Sequence, residues 1–131
     1  MQNSGAESTT KQTSETAILA VEDVLEVVNN SLEDSKAEEI VAIDIKEKSS
    51  IADYMLVASG RSNRHVGAMA DHLLRALKTA GAGSAKVEGL ENADWVLIDV
   101  GDIIVHLFRP EVREFYALEK MWQTPAAEEL N

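Results

Sequence analysis

The chain has 131 residues, of which 45% are hydrophobic, with a formal net charge of -11 and no cysteine. This length supports one domain with one core rather than two domains. The strong negative charge argues against a protein held mainly by nucleic-acid phosphates, and the missing cysteines exclude disulfides and thiolate zinc sites.

Both ends of the chain are polar and lack a hydrophobic period. We expect residues 1–14 and 123–131 to be disordered tails around a single domain at residues 15–122. No stretch approaches the roughly 20 apolar residues of a membrane span, and the N-terminus lacks the layout of a signal peptide. The cytoplasm is therefore the expected location. The histidines do not form a metal-ligand spacing, so we expect neither a metal nor a cofactor.

The first predicted element is a helix near residues 15–34. Its hydrophobic residues alternate at spacings of three and four, which places them on one face: Ile18, Val21, Leu25, Val28 and Leu32. Two short runs rich in β-branched residues follow, E-I-V-A-I-D-I-K and Y-M-L-V-A-S, and they predict two strands.

The second half of the chain predicts a helix, three strands and a last helix. Ser62 suits the N-cap of the first of these helices, and Gly81 ends it. The segment A-K-V-E predicts a strand, and W-V-L-I-D-V-G-D-I-I-V-H-L-F predicts two more, joined as a hairpin at Val100-Gly101. Pro110 suits the first turn of a final helix that reaches about Trp122.

The resulting order is α-β-β-α-β-β-β-α, which belongs to the α/β class. A strand, helix and strand in succession favour a right-handed crossover with parallel pairing, whereas the hairpin requires an antiparallel pair. We therefore expect a mixed sheet of about five strands, flanked by helices.

Three long segments follow one another in a specific order. They are A-D-Y-M-L-V-A-S-G-R-S-N-R-H-V at 52–66, A-D-W-V-L-I-D-V-G-D-I-I-V-H-L-F at 93–108, and R-P-E-V-R-E-F-Y-A-L-E-K-M-W at 109–122. Together they resemble the Iojap-like ribosomal silencing factors, from the first helix to Trp122. One departure is Val100, where the family's D-x-G-D turn often carries an aromatic residue or leucine.

The resemblance implies a fold related to nucleotidyltransferases but no known catalysis. It also implies binding to large-subunit ribosomal protein fourteen on the large ribosomal subunit, beside the surface that the small subunit must approach. A homodimer off the ribosome is compatible with the resemblance. Because the chain is acidic, we expect contact with basic protein and little direct contact with RNA.

The predicted hairpin separates two faces. With Val100-Gly101 as a two-residue loop, Asp99 lies opposite Asp102, Trp95 opposite His106, and Leu97 opposite Ile104. The residues between them form a β-branched set suited to the core: Val96, Ile98, Ile103 and Val105. Valine does not favour the first position of a type I′ turn, and a one-residue bulge would reassign these pairs.

The face that carries Trp95 has two interpretations. Trp95 and His106 could form a buried pair beneath a helix, with the imidazole hydrogen-bonded. Alternatively, no helix covers this face, and Trp95 anchors a partner protein from an apolar patch. The resemblance to the silencing factors favours contact by Trp95.

The final helix carries an apolar stripe and a polar flank. The stripe of Phe115, Leu118 and Trp122 suits the core. The flank consists of Arg113, Tyr116 and Lys120, and it is either a solvated face or part of the partner surface together with Arg109. The resemblance supports the second interpretation.

These arguments predict a partner-binding set on the last two strands and the final helix. Its members are Trp95, Asp99, Val100, Asp102, His106, Arg109, Arg113 and Tyr116. A secondary set, Arg61, Arg64 and His65, is either a solvated, capped helix start, an edge of the ribosome-facing surface or a self-association contact.

The alternative function is a nucleotidyltransferase-fold enzyme that acts on a nucleotide or RNA. The turn at Ser59-Gly60-Arg61-Ser62 could hold a phosphate at a helix N-terminus. Nucleotidyl transfer also needs neighbouring carboxylates for magnesium, and the chain contains no D-x-D. Asp99 and Asp102 straddle a turn, Asp44 and Asp53 stand singly, and no G-x-S-x-G occurs. We therefore expect no enzymatic activity.

Overall fold

The computed structural model describes residues 19–116, and of residues 114–116 only the backbone. Both predicted tails lie outside this range, as do Leu118, Lys120 and Trp122 of the predicted final helix. The division into a domain at 15–122 and two tails stays a prediction.

The described chain folds into helices and strands in the order predicted from the sequence, α-β-β-α-β-β-β-α. The elements are α1 (Val21–Asp34), β1 (Glu38–Asp44), β2 (Tyr54–Ser59), α2 (Asn63–Ala80), β3 (Lys86–Glu88), β4 (Trp95–Asp99), β5 (Ile103–Phe108) and α3 (Pro110–Tyr116).

The ends of α2 follow from two residues that the sequence identified. Ser62 has an extended backbone, and its Oγ accepts a hydrogen bond from the His65 N–H over 3.1 Å. Gly81 ends the helix with a φ of 75°, a left-handed conformation that glycine adopts without a Cβ penalty. By contrast, α1 begins later than its predicted start near residue 15, because Leu19 and Ala20 are not helical.

The strands form one mixed sheet in the order β1-β2-β5-β4-β3. Strands β2 and β5 pair in parallel, and the other neighbours pair antiparallel. The mixed sheet confirms the expected fold class. The strands before and after α2, β2 and β3, were expected to pair with each other. This prediction was wrong, because β5 and β4 lie between them. Strand β5 is mostly buried, which suits a central position, whereas β3 is short and exposes Lys86 and Glu88.

Helices α1 and α2 cover one face of this sheet. The main core lies between them and the strands, and the predicted inward-facing hairpin residues are all buried in it: Val96, Ile98, Ile103 and Val105. On the helices, Val28, Leu32, Met69 and Leu73 are fully buried. The two helices also share a hydrogen bond of 2.8 Å between Ser31 Oγ and His72 Nδ1.

The opposite side of the sheet, which we call the distal face, has a second and smaller cluster. Its buried members are Ile43, Ile45, Ala52, Met55, Val57 and Phe108, with Trp95, Ile104 and Val112 packed against them. Helix α3 contributes Val112 to this cluster. Among residues 19–116, no helix combines the length and the hydropathy that a bilayer crossing requires.

Candidate protein-binding surface on the distal face

The β4–β5 hairpin has a different register from the predicted one. Trp95 pairs with Phe108, Leu97 with His106, and Asp99 with Ile104. The expected pairs of Trp95 with His106, Leu97 with Ile104 and Asp99 with Asp102 were therefore wrong. The partner of each β4 residue lies two positions further along the chain, and because strand side chains alternate with a period of two, both predicted faces survive.

The turn explains this shift. Val100 N–H donates to the Ile103 carbonyl over 2.9 Å, so Gly101 and Asp102 form the two-residue loop in place of Val100 and Gly101. Gly101 has a φ of 98°, which suits glycine at the first loop position and strains valine. The Asp99 carboxylate accepts a hydrogen bond of 2.9 Å from Gly101 N–H.

Trp95 stands at the centre of an aromatic group on the distal face. Its Nε1–H donates a 3.0 Å hydrogen bond to His106 Nδ1, and its ring meets Phe108 edge-on at 5.0 Å between centroids. His106 is only 6% exposed, whereas Trp95 is partly exposed. Each of the two interpretations of Trp95 is therefore correct in part. Trp95 and His106 are hydrogen-bonded to each other, as in the buried pair, and the indole is accessible, as in the partner anchor. His106 supports Trp95 from below and offers little surface of its own.

Burial also sets the protonation state of His106. Desolvation penalises the imidazolium and lowers the pKa of His106 from 6.5 to about 4. Because Nδ1 accepts from Trp95, the neutral ring carries its proton on Nε2. At neutral pH the aromatic group therefore contains no charge.

The hairpin turn is acidic and accessible. Asp102 is exposed, and Asp99 and Val100 are partly exposed. Asp99 shares the strand face of Trp95, whereas Val100 packs against the main core and, with Asp102, lines a small cavity on the side of the sheet that α1 covers. The Asp102 carbonyl accepts hydrogen bonds from the N–H groups of Asp53, at 2.7 Å, and Tyr54, at 3.1 Å. Among residues 19–116, no group of three or more His, Cys, Asp or Glu side chains could hold a metal ion.

Arg109 lies at the other end of the hairpin in a polar cluster. Its Nε is 3.0 Å from Asp94 Oδ1, its Nη1 is 4.0 Å from Glu111 Oε1, and its side chain is 31% exposed. Asp94 also accepts a 2.8 Å hydrogen bond from Asn63 Nδ2, at the start of α2. Arg109 is thus placed between two carboxylates and its side chain remains partly accessible, although its buried Nε makes no hydrogen bond of good geometry.

Arg113 does not occupy the exposed flank that the sequence predicted. It is 6% exposed, and its Nη1 donates a 2.7 Å hydrogen bond to the buried Ser59 Oγ. Glu39 Oε1 is 3.7 Å away, so Arg113 connects α3 to the ends of β1 and β2. This burial corrects its assignment as a contact residue. Tyr116 is the last described residue of α3, and its side chain lies outside the described part of the chain.

The secondary set at the start of α2 also contains both exposed residues and a residue held inside the fold. Arg61 and Arg64 are exposed, and Arg61 Nη1 lies 3.7 Å from Glu38 Oε2. His65 is partly buried between two backbone groups. It accepts at Nδ1 from Arg61 N–H over 2.9 Å, and its Nε2 is 2.8 Å from the Ser35 carbonyl. His65 therefore fixes the loop before α2 against the end of α1.

Two features of the face were missed from the sequence. Phe108 shares the strand parity of His106, so extending the alternation by two residues would have found it. Asp94 forms an ion pair with Arg109 and accepts a hydrogen bond from Asn63, and no local signal could have shown this, because Asn63 lies 31 residues away.

The chain matches one family model and several known proteins that are similar in sequence to it. The model of the family described as "Ribosomal silencing factor during starvation" matches residues 18–131. A relative from Zymomonas mobilis, named ribosomal silencing factor RsfS, is 59% identical over 99 residues, which are 76% of this chain and 74% of that protein. A mouse protein named "Mitochondrial assembly of ribosomal large subunit protein 1" is 34% identical over 75% of this chain and 44% of its own length.

A solved structure supports the same fold. The crystal structure of a Chromobacterium violaceum protein superposes with a TM-score of 0.78 at 37% sequence identity, covering 82% of this chain and 91% of that one. The mixed sheet with flanking helices is therefore the fold of a known relative.

Proposed function

Since the chain belongs to the ribosomal silencing factor family, we propose that it binds the large ribosomal subunit and sterically blocks joining of the small subunit, which represses translation. The observation that carries this proposal is the distal face, where Trp95 is held in one orientation on an uncharged support. A rigid, partly exposed tryptophan is the type of residue that dominates binding energy at protein interfaces.

The proposed partner within the subunit is large-subunit ribosomal protein fourteen. The hairpin turn, at the opposite end of β4 from Trp95, presents carboxylates at Asp99 and Asp102, which suit a basic protein surface. The whole chain carries a net charge of -11, so long contact with RNA phosphates is disfavoured. We expect the complex to weaken as ionic strength rises, because salt screens charges of opposite sign.

The residues proposed to make contact are those that the structure leaves accessible. They are Trp95, Asp99, Val100, Asp102 and Arg109, with Arg61 and Arg64 at a secondary edge. His106, Arg113 and His65 would act as supports, since each is held by hydrogen bonds inside the fold. Tyr116 stays a predicted contact.

The proposed mechanism is occlusion, which needs affinity and no turnover. A folded body bound where the two subunits meet fills volume that the small subunit must occupy. No catalytic step is proposed, and the relatives named as silencing factors support this assignment. The cytoplasm is the proposed location, and a homodimer off the ribosome stays a prediction.

Subunit joining in a sucrose gradient tests the proposal. Purified large subunits are incubated with the full chain, small subunits are added, and the fraction of joined ribosomes is measured. The expected result is that the protein sediments with large subunits and lowers the joined fraction. Unchanged joining at saturating protein would contradict silencing. Labelled nucleoside triphosphates with magnesium provide a separate assay, in which protein-dependent incorporation would support the enzyme alternative.

A further inference from the structure

The loop between β1 and β2 exposes a large apolar side chain. Ile51 is 71% exposed, whereas the loop residues on either side of it, Ile45 and Ala52, are buried at 2% and 5%. Leu90 is the other large hydrophobic residue exposed in the described part of the chain, at 40%. A single exposed apolar residue is common on protein surfaces, so the exposure of Ile51 indicates function only through its position in the fold.

The loop holds Ile51 in a fixed position. The N–H groups of Lys48 and Ser49 both donate to the Ile45 carbonyl, at 3.0 and 2.9 Å. Ile51 N–H donates to Ser49 Oγ over 3.1 Å, and Ile45 N–H donates to the Asp53 carbonyl over 2.9 Å. The backbone of such a loop loses little conformational entropy when a partner covers Ile51.

The same loop is joined to the acidic β4–β5 turn. Asp53 N–H donates to the Asp102 carbonyl over 2.7 Å, and Ile51 lies only two residues before Asp53. Two residues span at most about 7 Å, so Ile51 stands beside the hairpin turn. Ile45 and Ala52 belong to the cluster that also packs Ile104 and Trp95. The loop and the hairpin therefore form one continuous surface.

Charge identifies the kind of partner that fits this surface. In and beside the loop, Asp44, Glu47 and Asp102 are exposed and Asp53 is partly exposed, so these carboxylates outnumber the two lysines of the loop, Lys46 and Lys48. The nearby Lys46 is already engaged, with its Nζ 3.4 Å from Asp44 Oδ2 and 3.1 Å from Tyr54 Oη. An apolar side chain bordered by carboxylates complements an apolar pocket bordered by lysine or arginine on a protein.

We propose that Ile51 is a second anchor of the ribosome-binding surface, inserting into an apolar, cation-bordered pocket of the same protein that Trp95 contacts. This inference rests on the proposed function and deepens it. A partner engaged by both side chains is contacted at two separate points, the β1–β2 loop and strand β4, so its orientation is fixed as well as its affinity.

Binding of the full chain to purified large ribosomal subunits tests the inference. The variants are Ile51→Ser, the conservative Ile51→Val, and Leu90→Ser as the matched loss of an exposed apolar residue. We expect Ile51→Ser to raise Kd by at least about ten-fold and Leu90→Ser to stay within about two-fold of the parent. Ile51→Val should recover most of the affinity, and both Ile51 variants should melt within about 2 °C of the parent, because Ile51 is exposed.

Two results would overturn the inference while leaving the proposed function intact. One is parental affinity for Ile51→Ser, and the other is an equal loss for Leu90→Ser, which would indicate a non-specific effect of surface hydrophobicity. Failure of the parent chain itself to bind large subunits would overturn the proposed function together with the inference.

Discussion

Trp95 and His106 are joined by a hydrogen bond that runs diagonally across the β4–β5 hairpin, from the indole Nε1 to the imidazole Nδ1 over 3.0 Å. Their strand partners are Phe108 and Leu97, so the bond links residues that are not directly opposite. A protonated Nδ1 could not accept it. The orientation of Trp95 therefore depends on a neutral His106, which burial enforces.

The first prediction concerns stability in acid. The folded pKa of His106 is about 4, below its ordinary value of 6.5, so between these values the unfolded chain binds more protons at this site. The stability that neutral His106 contributes is complete above pH 6.5 and falls as the pH drops towards 4. The total loss from this group is roughly 3 kcal/mol, measured by urea unfolding along a pH series.

A His106→Gln variant isolates this effect. Glutamine can accept from Trp95 through its side-chain oxygen but does not titrate. We expect the variant to lose less stability than the parent between pH 6.5 and 4. Parallel curves for the two proteins would show that other groups cause the acid sensitivity.

The second prediction separates the anchor role of Trp95 from its role in the fold. Trp95→Phe keeps a ring beside Phe108 but leaves His106 Nδ1 without its donor, which costs about 1 to 3 kcal/mol of stability. The variant should remain folded at 25 °C and bind large subunits at least about ten-fold more weakly.

Circular dichroism and subunit binding at fixed salt provide the two measurements for Trp95→Phe. Parental affinity in a folded variant would remove Trp95 from the contact surface. Full unfolding would instead show that the indole is needed for the fold, and the milder Trp95→Tyr would then be measured.

The third prediction uses two glycines with similar backbones. Gly89 and Gly83 have φ values of 85° and 90°, so alanine is strained at both. A Cβ at Gly89 would collide with the Trp95 carbonyl oxygen, whereas at Gly83 nothing lies within 4 Å. Gly83→Ala should cost about 1 kcal/mol. Gly89→Ala should cost clearly more, since the backbone before β4 must move.

Thermal denaturation of both glycine variants gives the comparison. Equal losses would indicate that the conformational strain dominates and that the backbone near Trp95 yields without cost. A larger loss at Gly89, together with weaker subunit binding, would connect the position of the Trp95 backbone to function.

The fourth prediction concerns Arg113. Arg113→Met preserves side-chain bulk but removes the donor to Ser59 Oγ. Because Ser59 is only 1% exposed, its hydroxyl cannot turn to water instead, and the free energy of unfolding should fall by about 1 to 3 kcal/mol. Glu39→Gln is the control, because its side chain is 76% exposed and its pair with Arg113 spans 3.7 Å. We expect that change to cost less than about 1 kcal/mol. A larger effect of Glu39→Gln than of Arg113→Met in chemical unfolding would contradict this order.

Elements and faces could be predicted because they depend on local periodicity. The alternation in β4 and β5 placed Val96 and Ile98 in the core and Trp95 on the other face, and the structure agrees. A register error of two residues did not alter these faces, because the side-chain period is two. An error of one residue would have reversed them.

The pairing of strands and the burial of charged groups could not be predicted in the same way. Whether β3 or β5 lies next to β2 depends on which strand gains more from burial, and this is a property of the assembled sheet. Arg113 has polar neighbours in its own helix, and its partner Ser59 lies 54 residues away. Helical spacing therefore indicated an exposed flank, either solvated or in contact with a partner, where tertiary contact produces a buried hydrogen bond.

The strand order has a consequence for how this molecule responds to a partner. Local pairing builds a β1–β2 hairpin and a β3–β4–β5 meander, and in the sheet these halves meet at the β2–β5 ladder, which pairs Tyr54 with Ile103. Contacts so distant along the chain are entropically expensive to form. Ile51 belongs to the β1–β2 half of the sheet and Trp95 to the β3–β4–β5 half. A partner that binds both residues would stabilise the pairing of β2 with β5. Its binding should therefore slow amide hydrogen exchange in β2 and β5 more than in α2.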